Sequence, residues 1–264
     1  MGENALFRLA HDDIVVRIAR NADVLKDAKK EVAVASWLRD LGIPAAEPTD
    51  HTQPIMVQGH PVTFWHLIDD SGARPSLSDL ATILRQLHRA SVPPTLQLPD
   101  FDIFDRVSDR IAKAPELTDA ERDFLASRLT HLRTEYESVK LTLPPAAVHG
   151  DAHQSNLIQR PDGKVLLIDF ERFAFGPPES DLAVTATEYL IGWHTDVAYA
   201  SFCDTYGLDI TRWDGFPVIR AINELKMATW LMQNVGVSDQ VAAEFRTRLA
   251  SLCDDNSPRN WRPF

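Results

Sequence analysis

Apolar positions in the first 70 residues switch between two periods. In ALFRLAHDDIVVRIAR, two β-prone runs, Ala5 to Leu9 and Ile14 to Ala19, flank the polar His11-Asp12-Asp13, which is the pattern of a hairpin. Ala28, Val32, Ala35, Leu38 and Leu41 then recur near helical spacing, and Gly42 and Pro44 close the run, so a helix is expected from about 24 to 41. PIMVQGHPVTFWHLID reads as a second strand pair around Gly59-His60-Pro61, with Phe64 and Trp65 as core positions. The turn-forming Asp69-Asp70-Ser71-Gly72 ends this α+β segment and reads as a linker.

Beyond the linker the period is mostly helical. Ser78 can cap a helix running to Ala90, Phe101 to Ala114 fits another, and Thr118-x-x-Glu121 spells a capping box before a long helix reaching Val139. One island breaks the pattern: short strands are expected at Ala146 to Val148, Asn156 to Gln159 and Lys164 to Ile168, the last two joined by the turn Pro161-Asp162-Gly163. The patterning thus divides the chain into a small N-terminal lobe over 1–70 and a larger, mostly helical C-terminal lobe over 71–264.

Composition narrows the classes without choosing a function. The 264 residues are 44% hydrophobic and 25% charged, ordinary globular values. A formal charge of -11 and the lack of a basic stripe argue against nucleic acid as a partner. No apolar run is long enough for a membrane span, and the N-terminus lacks the pattern of a signal peptide, so no membrane association and a cytoplasmic location are expected. Cys203 and Cys253, far apart, suggest neither a disulfide framework nor a thiolate metal site.

The chemistry concentrates in the island. VHGDAHQSNLIQRPDGKVLLIDFE, residues 148–171, places His149, Asp151, His153, Asn156, Asp169 and Glu171 at strand ends. Phosphoryl transfer from a nucleotide needs a carboxylate to orient the acceptor hydroxyl and oxygen ligands for Mg²⁺. Asp151 and Asn156 have the D-x-x-x-x-N spacing of a kinase catalytic loop, and Asp169 follows a hairpin, as the kinase metal carboxylate does. His149-x-Asp151-x-His153 with Asp169 also admits a transition-metal hydrolase, because imidazole and carboxylate together suit Zn²⁺ or Fe²⁺.

HGDAHQSN and IDFE, followed by Gly176-Pro177-Pro178 and Asp181-Leu182-Ala183, resemble the signature of the aminoglycoside phosphotransferase and choline kinase-like small-molecule kinases. The resemblance implies a two-lobed, protein-kinase-like α+β fold and an ATP- and Mg²⁺-dependent transfer, with GTP as the other nucleotide, to a small-molecule hydroxyl acceptor. It assigns Asp151 as catalytic base and Asn156 and Asp169 as metal ligands. It pairs Arg17, where the family carries Lys or Arg, with Glu31 to position phosphates, and sets His66, Leu67 and Ile68 against the adenine. Gly2-Glu3-Asn4 is the one candidate for a turn covering phosphates, since amides near glycine approach phosphate oxygens closely. Acceptor choice would fall to C-terminal helices, where Glu188, Asp196 and Glu224, among Tyr189, Trp193 and Trp230, could hold an amino group by charge and cation–π contact. The alternative from another class is a nucleotide-binding, kinase-like module without turnover, suggested by the curtailed glycine pattern.

Overall fold

The computed structural model describes residues 4–114, 117–254 and 257–264. They form sixteen regular elements: β1 (Asn4–Arg8), β2 (Ile14–Ala19), α1 (Leu25–Asp40), β3 (Ile55–Val57), β4 (His60–His66), α2 (Leu77–Leu87), α3 (Val107–Lys113), α4 (Asp119–Glu137), β5 (Ala146–Val148), β6 (Leu157–Gln159), β7 (Val165–Leu167), β8 (Ala174–Gly176), α5 (Glu179–Leu190), α6 (Asp196–Tyr206), α7 (Phe216–Met232) and α8 (Asp239–Leu252). The elements fall into two compact units, residues 1–101 with 145–178 and residues 102–144 with 179–264.

In the first unit an antiparallel sheet has the strand order β1-β2-β4-β3. Arg17 stands opposite Leu6 on β1 and Thr63 on β4, so Val15, Arg17 and Ala19 share a face with Thr63 and Trp65. Trp65 is buried and its indole N–H donates to Thr63 Oγ1 at 2.8 Å, which satisfies the polar edge of a large core side chain. Helix α1 buries Glu31, Val34, Ala35 and Leu38, an i, i+3, i+4, i+7 stripe, so the sequence puts one carboxylate in line with three apolar core residues. Gly42, at φ +69°, takes the left-handed position that ends the helix.

The island of short strands belongs to this same unit. Leu167 on β7 bridges Ala45, with Ala46 N–H donating to Leu167 O at 2.8 Å and Leu167 N–H to Pro44 O at 3.1 Å. Ser71 donates to Gln159 O through both its amide and its hydroxyl, at 2.9 and 2.7 Å. Residues 71–101 and 145–178 therefore pack with the N-terminal sheet, a grouping by contact that runs across the sequence boundary at 70.

Two helix starts differ from expectation for local reasons. Ser76, not Ser78, caps α2: its hydroxyl accepts from Asp79 N while the Asp79 carboxylate accepts from Ser76 N, a capping box two residues earlier. The helix expected from Phe101 covers only Val107–Lys113. Asp102 Oδ1 accepts from Phe104 N at 2.9 Å, a side-chain turn that competes with helix, and Arg106 lies at φ +52°.

The second unit is helical, and α7 forms its centre, burying Ile219, Ile222, Leu225, Ala228 and Leu231. Its buried arginine is paired. Arg248, 2% exposed, donates to Glu244 at 2.9 Å and to Arg262 O at 2.5 Å, with its guanidinium over the rings of Trp193 and Trp261. No helix among the described residues is long and apolar enough to cross a membrane.

Glu179 opens α5 with no exposed surface, and its Oε1 accepts from the backbone amides of Thr142 and Leu143 at 2.7 and 2.8 Å. Replacement by Ala strips two part-buried N–H groups of their shared carboxylate acceptor, so Glu179→Ala is expected to cost about 1–3 kcal/mol. Glu179→Gln, which keeps an amide oxygen, is expected to lose clearly less; urea unfolding of the two variants measures the difference.

Candidate active site

Antiparallel ribbons bring distant residues together at their ends. In the first ribbon β5 pairs with β8, Val148 opposite Ala174, so that His149-Gly150-Asp151 leaves the same end at which Arg172-Phe173 enters. In the second, β6 pairs with β7, Leu157 opposite Leu167, which sets Asn156 and Ile168-Asp169 side by side at the open end. The Asn156 carbonyl accepts from Ile168 N–H at 3.0 Å and closes that end. Short chain segments join the two ribbon ends, 151–156 on one side and 169–172 on the other, and all three carboxylate and amide candidates therefore meet there.

Each of them is held differently. Asn156 is buried, and its amide nitrogen donates to Asp151 O at 2.8 Å and lies 3.2 Å from His153 Nε2. With the nitrogen engaged twice, the amide oxygen is the end available to a cation. Asp169 takes the left-handed conformation, φ +65°, which a β-carbon disfavours and which the neighbouring packing must hold. That packing is aromatic: Phe170, 2% exposed, lies edge-on to Phe173 and tilted against Trp65. His149 is fully buried, donates through Nε2 to Ile168 O at 2.9 Å, and meets the Phe173 ring edge-on.

The Asp151 carboxylate remains half-exposed, 3.7 Å from His153 Nε2. Burial alone raises its pKa; the hydrogen bond and charge of His153, with the charges of Arg172 and His149, outweigh it and hold the carboxyl well below the usual range. Gly150, at φ +80°, is what lets this loop lie flat on the neighbouring turn, since a β-carbon there would stand 2.4 Å from Arg172 O.

Arg17 and Glu31, paired from sequence, form an ion pair through Arg17 Nη1 and Glu31 Oε2. Burial pushes the Glu31 carboxyl above its ordinary value; the Arg17 charge and hydrogen bond oppose that shift and the Asp169 charge adds to it. Gly2 and Glu3 lie outside the described residues. Asn4 heads β1, diagonal to Arg17 across the strand pair, and with its amide oxygen toward the guanidinium it accepts from Arg17 Nη2 at 2.6 Å and Nε at 2.9 Å. The amides of His66 and Leu67 donate to Glu47 O at 2.9 Å and Asp13 O at 2.8 Å. Two of the N–H groups at the expected adenine positions are thus engaged within the protein.

The oxygen donors Asn156 and Asp169 suit a hard cation that completes its shell with phosphate and water. Among the described residues no group of three or more His, Cys, Asp or Glu side chains converges as a metal site, so His149, Asp151, His153 and Asp169 do not assemble the set a Zn²⁺ hydrolase needs.

Of the C-terminal candidates, Glu224 is 3% exposed and accepts from Arg220 Nε at 2.8 Å and Arg259 Nε at 3.0 Å, which closes off both oxygens. Glu188 pairs with His194 Nε2 at 2.8 Å, and exposed Asp196 accepts from Tyr189 OH at 3.1 Å. The Tyr189 ring stacks on Tyr199, centroids 4.2 Å apart. Lys30 and Arg172 escaped the sequence reading, because an exposed-looking Lys beside the helix Glu and an Arg after the metal motif carry no spacing signal of their own.

Comparison with known proteins bears on the family and the fold. A family model described as phosphotransferase enzyme family matches residues 2–221. A search among curated proteins returned no match. Among solved structures, choline kinase LicA from Streptococcus pneumoniae superposes with a TM-score of 0.67 at 15% identity, covering 95% of this chain and 89% of that one. Amicoumacin kinase hAmiN, in complex with AMP-PNP, Ca²⁺ and Ami, gives 0.69 at 11% identity, with coverage of 98% and 90%. Aminoglycoside phosphotransferase APH(3'')-Id from Streptomyces rimosus, in complex with ADP and streptomycin, gives 0.59 at 21%, with coverage of 84% and 90%. The fold is the α+β, protein-kinase-like fold of these enzymes.

The close approach at Gly150 generates a test independent of substrate. Gly150→Ala is expected to lower stability by about 1–3 kcal/mol, because the left-handed backbone and the Arg172 carbonyl must both yield. Thermal and denaturant unfolding of that variant measure the cost.

Proposed function

Because the chain belongs to the phosphotransferase enzyme family, we propose that it transfers the γ-phosphoryl group of ATP, in the presence of Mg²⁺, to a hydroxyl group of a small organic molecule. The protein is a small-molecule kinase, and the observation that carries the finer reading is the meeting of Asp151, Asn156 and Asp169 at the adjoining ends of two ribbons, in the same unit as the Arg17–Glu31 pair.

In this reading Asp151, held ionised by its surroundings, accepts a hydrogen bond from the acceptor hydroxyl and turns its oxygen toward phosphorus. A bond forms between that oxygen and the γ-phosphorus as the bond to the β–γ bridging oxygen breaks, and Asp151 takes the hydroxyl proton. Asn156 and Asp169 are the residues that would hold Mg²⁺, which supplies charge neutralisation on the phosphates when bound. Arg17 presents a planar, cationic fork to phosphate oxygens; Glu31 and Asn4 fix the plane of that fork. The nucleotides and nucleotide analogue named with the amicoumacin and aminoglycoside enzymes support the nucleotide half of this reading.

For the acceptor, the second unit supplies a corner at α5 and α6 where Glu188, Asp196 and the stacked Tyr189 and Tyr199 gather negative charge and aromatic faces. That chemistry favours a hydroxylated compound bearing an amino or quaternary ammonium group.

Thermal unfolding with ATP or GTP, each with and without Mg²⁺, is expected to show an Mg²⁺-dependent rise in Tm, with ATP the stronger ligand, because a ligand that binds only the folded state stabilises it by mass action. On the acceptor found by screening with that nucleotide, Asp151→Ala is expected to cut kcat by about 10²-fold or more. Unchanged kcat would remove Asp151 from its role.

A further inference from the structure

Lys30 is the residue before Glu31 on α1, and its side chain is only 11% exposed. Burial pulls its pKa down, and the charges of Asp27, Glu31 and Glu171 oppose that pull. A cation taken out of water needs a compensating partner. The closest one is main chain: Lys30 Nζ donates to Glu171 O, while the Asp27 carboxylate stands 3.9 Å away.

The position of that carbonyl matters more than its identity. Glu171 is two residues beyond Asp169, whose left-handed backbone aims its carboxylate, and one residue before Arg172, whose carbonyl is the surface on which Gly150 lies. The turn 169–172 thus carries a metal carboxylate at one end and supports the Asp151 loop at the other. Packing holds it on one side, through Phe170 against Trp65 and Phe173. On the α1 side, Lys30 is the polar tie. The neighbouring Glu31 grips Arg17, so consecutive residues of one helix turn reach the phosphate cation and the metal turn.

We infer that Lys30 is a positioning residue: by fastening α1 to the Glu171 carbonyl, it keeps the Asp169 carboxylate in register with the Arg17–Glu31 pair, and so sets Mg²⁺ affinity in the nucleotide complex. This inference rests on the phosphotransferase reading of the site. Lys30 touches neither phosphate nor metal in this role; it acts through the backbone of the turn.

The test is calorimetric binding of AMP-PNP to the full chain across a series of Mg²⁺ concentrations, for the wild type, Lys30→Met and Lys30→Arg. Lys30→Met keeps the buried stem and removes the donor. It is expected to raise the Mg²⁺ concentration for half-maximal tight binding by about tenfold or more, the scale on which residues supporting metal ligands act. Binding of AMP-PNP without Mg²⁺ should change little, and Lys30→Arg should recover most of the Mg²⁺ response. In an Asp169→Asn background the Lys30→Met effect should vanish, because two residues acting through one ligand are not additive. An unaltered Mg²⁺ response in Lys30→Met overturns the inference alone, as does an equal loss of binding with and without Mg²⁺, which would make Lys30 a direct phosphate contact or a support of the fold. Absence of Mg²⁺-dependent binding in the wild type overturns the phosphotransferase reading and this inference with it. Should circular dichroism show Lys30→Met unfolded, Lys30→Gln, too short to reach yet polar, takes its place with the same outcomes.

Discussion

The backbone pairing of two very short ribbons is the constraint from which the chemistry of this protein follows. Three residues per strand are too few for an independent sheet. Their stability comes from what surrounds them: Ala147, Val148, Leu167 and Phe173 are buried, and β7 is hydrogen-bonded to the segment after α1. A slip of one residue in either pairing would turn Asp151 or Asp169 to the opposite face and separate them. Aromatic packing behind Asp169 therefore has a chemical consequence, since the same rings that fill the core keep a strained carboxylate aimed.

Main chain serves here as the medium through which side chains are coordinated. Asn156 is anchored on the carbonyl of Asp151, His149 on that of Ile168 and Lys30 on that of Glu171. Such anchors resist rotation of a single side chain, because each carbonyl is itself part of a paired ribbon or a packed turn. Charge then works within a frame already fixed: Glu31 feels both Arg17 and Asp169, which couples the ion pair between β2 and α1 to the turn after β7.

Elements with a clean period were legible from sequence, among them the first hairpin, α1 and the long helix begun by Thr118-x-x-Glu121. Asp151, Asn156 and Asp169 were legible as a group because their spacing encodes two loops joined by a hairpin. What escaped had no period to betray it. β8 is three residues long and exists only because β5 needs a partner, so Ala174–Gly176 carries little strand signal. The start of α2 was misplaced by two residues because Ser76 and Ser78 offer the same hydroxyl, and only the reciprocal bond from Asp79 distinguishes them. Glu224 looked like a ligand for an amine until the fold brought Arg220 and Arg259 to it, one from the preceding turn of its helix and one from 35 residues away.

The proposed place of the Arg17 guanidinium beside the phosphates has a consequence for chemical labelling. Reagents that survey nucleotide-using enzymes by delivering an acyl group from a nucleotide analogue depend on a free amine beside the phosphates. A guanidinium that stays protonated is a poor nucleophile for acylation at neutral pH. The amine of Lys30 is turned to a carbonyl within the fold. A nucleotide site that offers the arginine proposed here in place of a lysine would take up such a reagent poorly at that position.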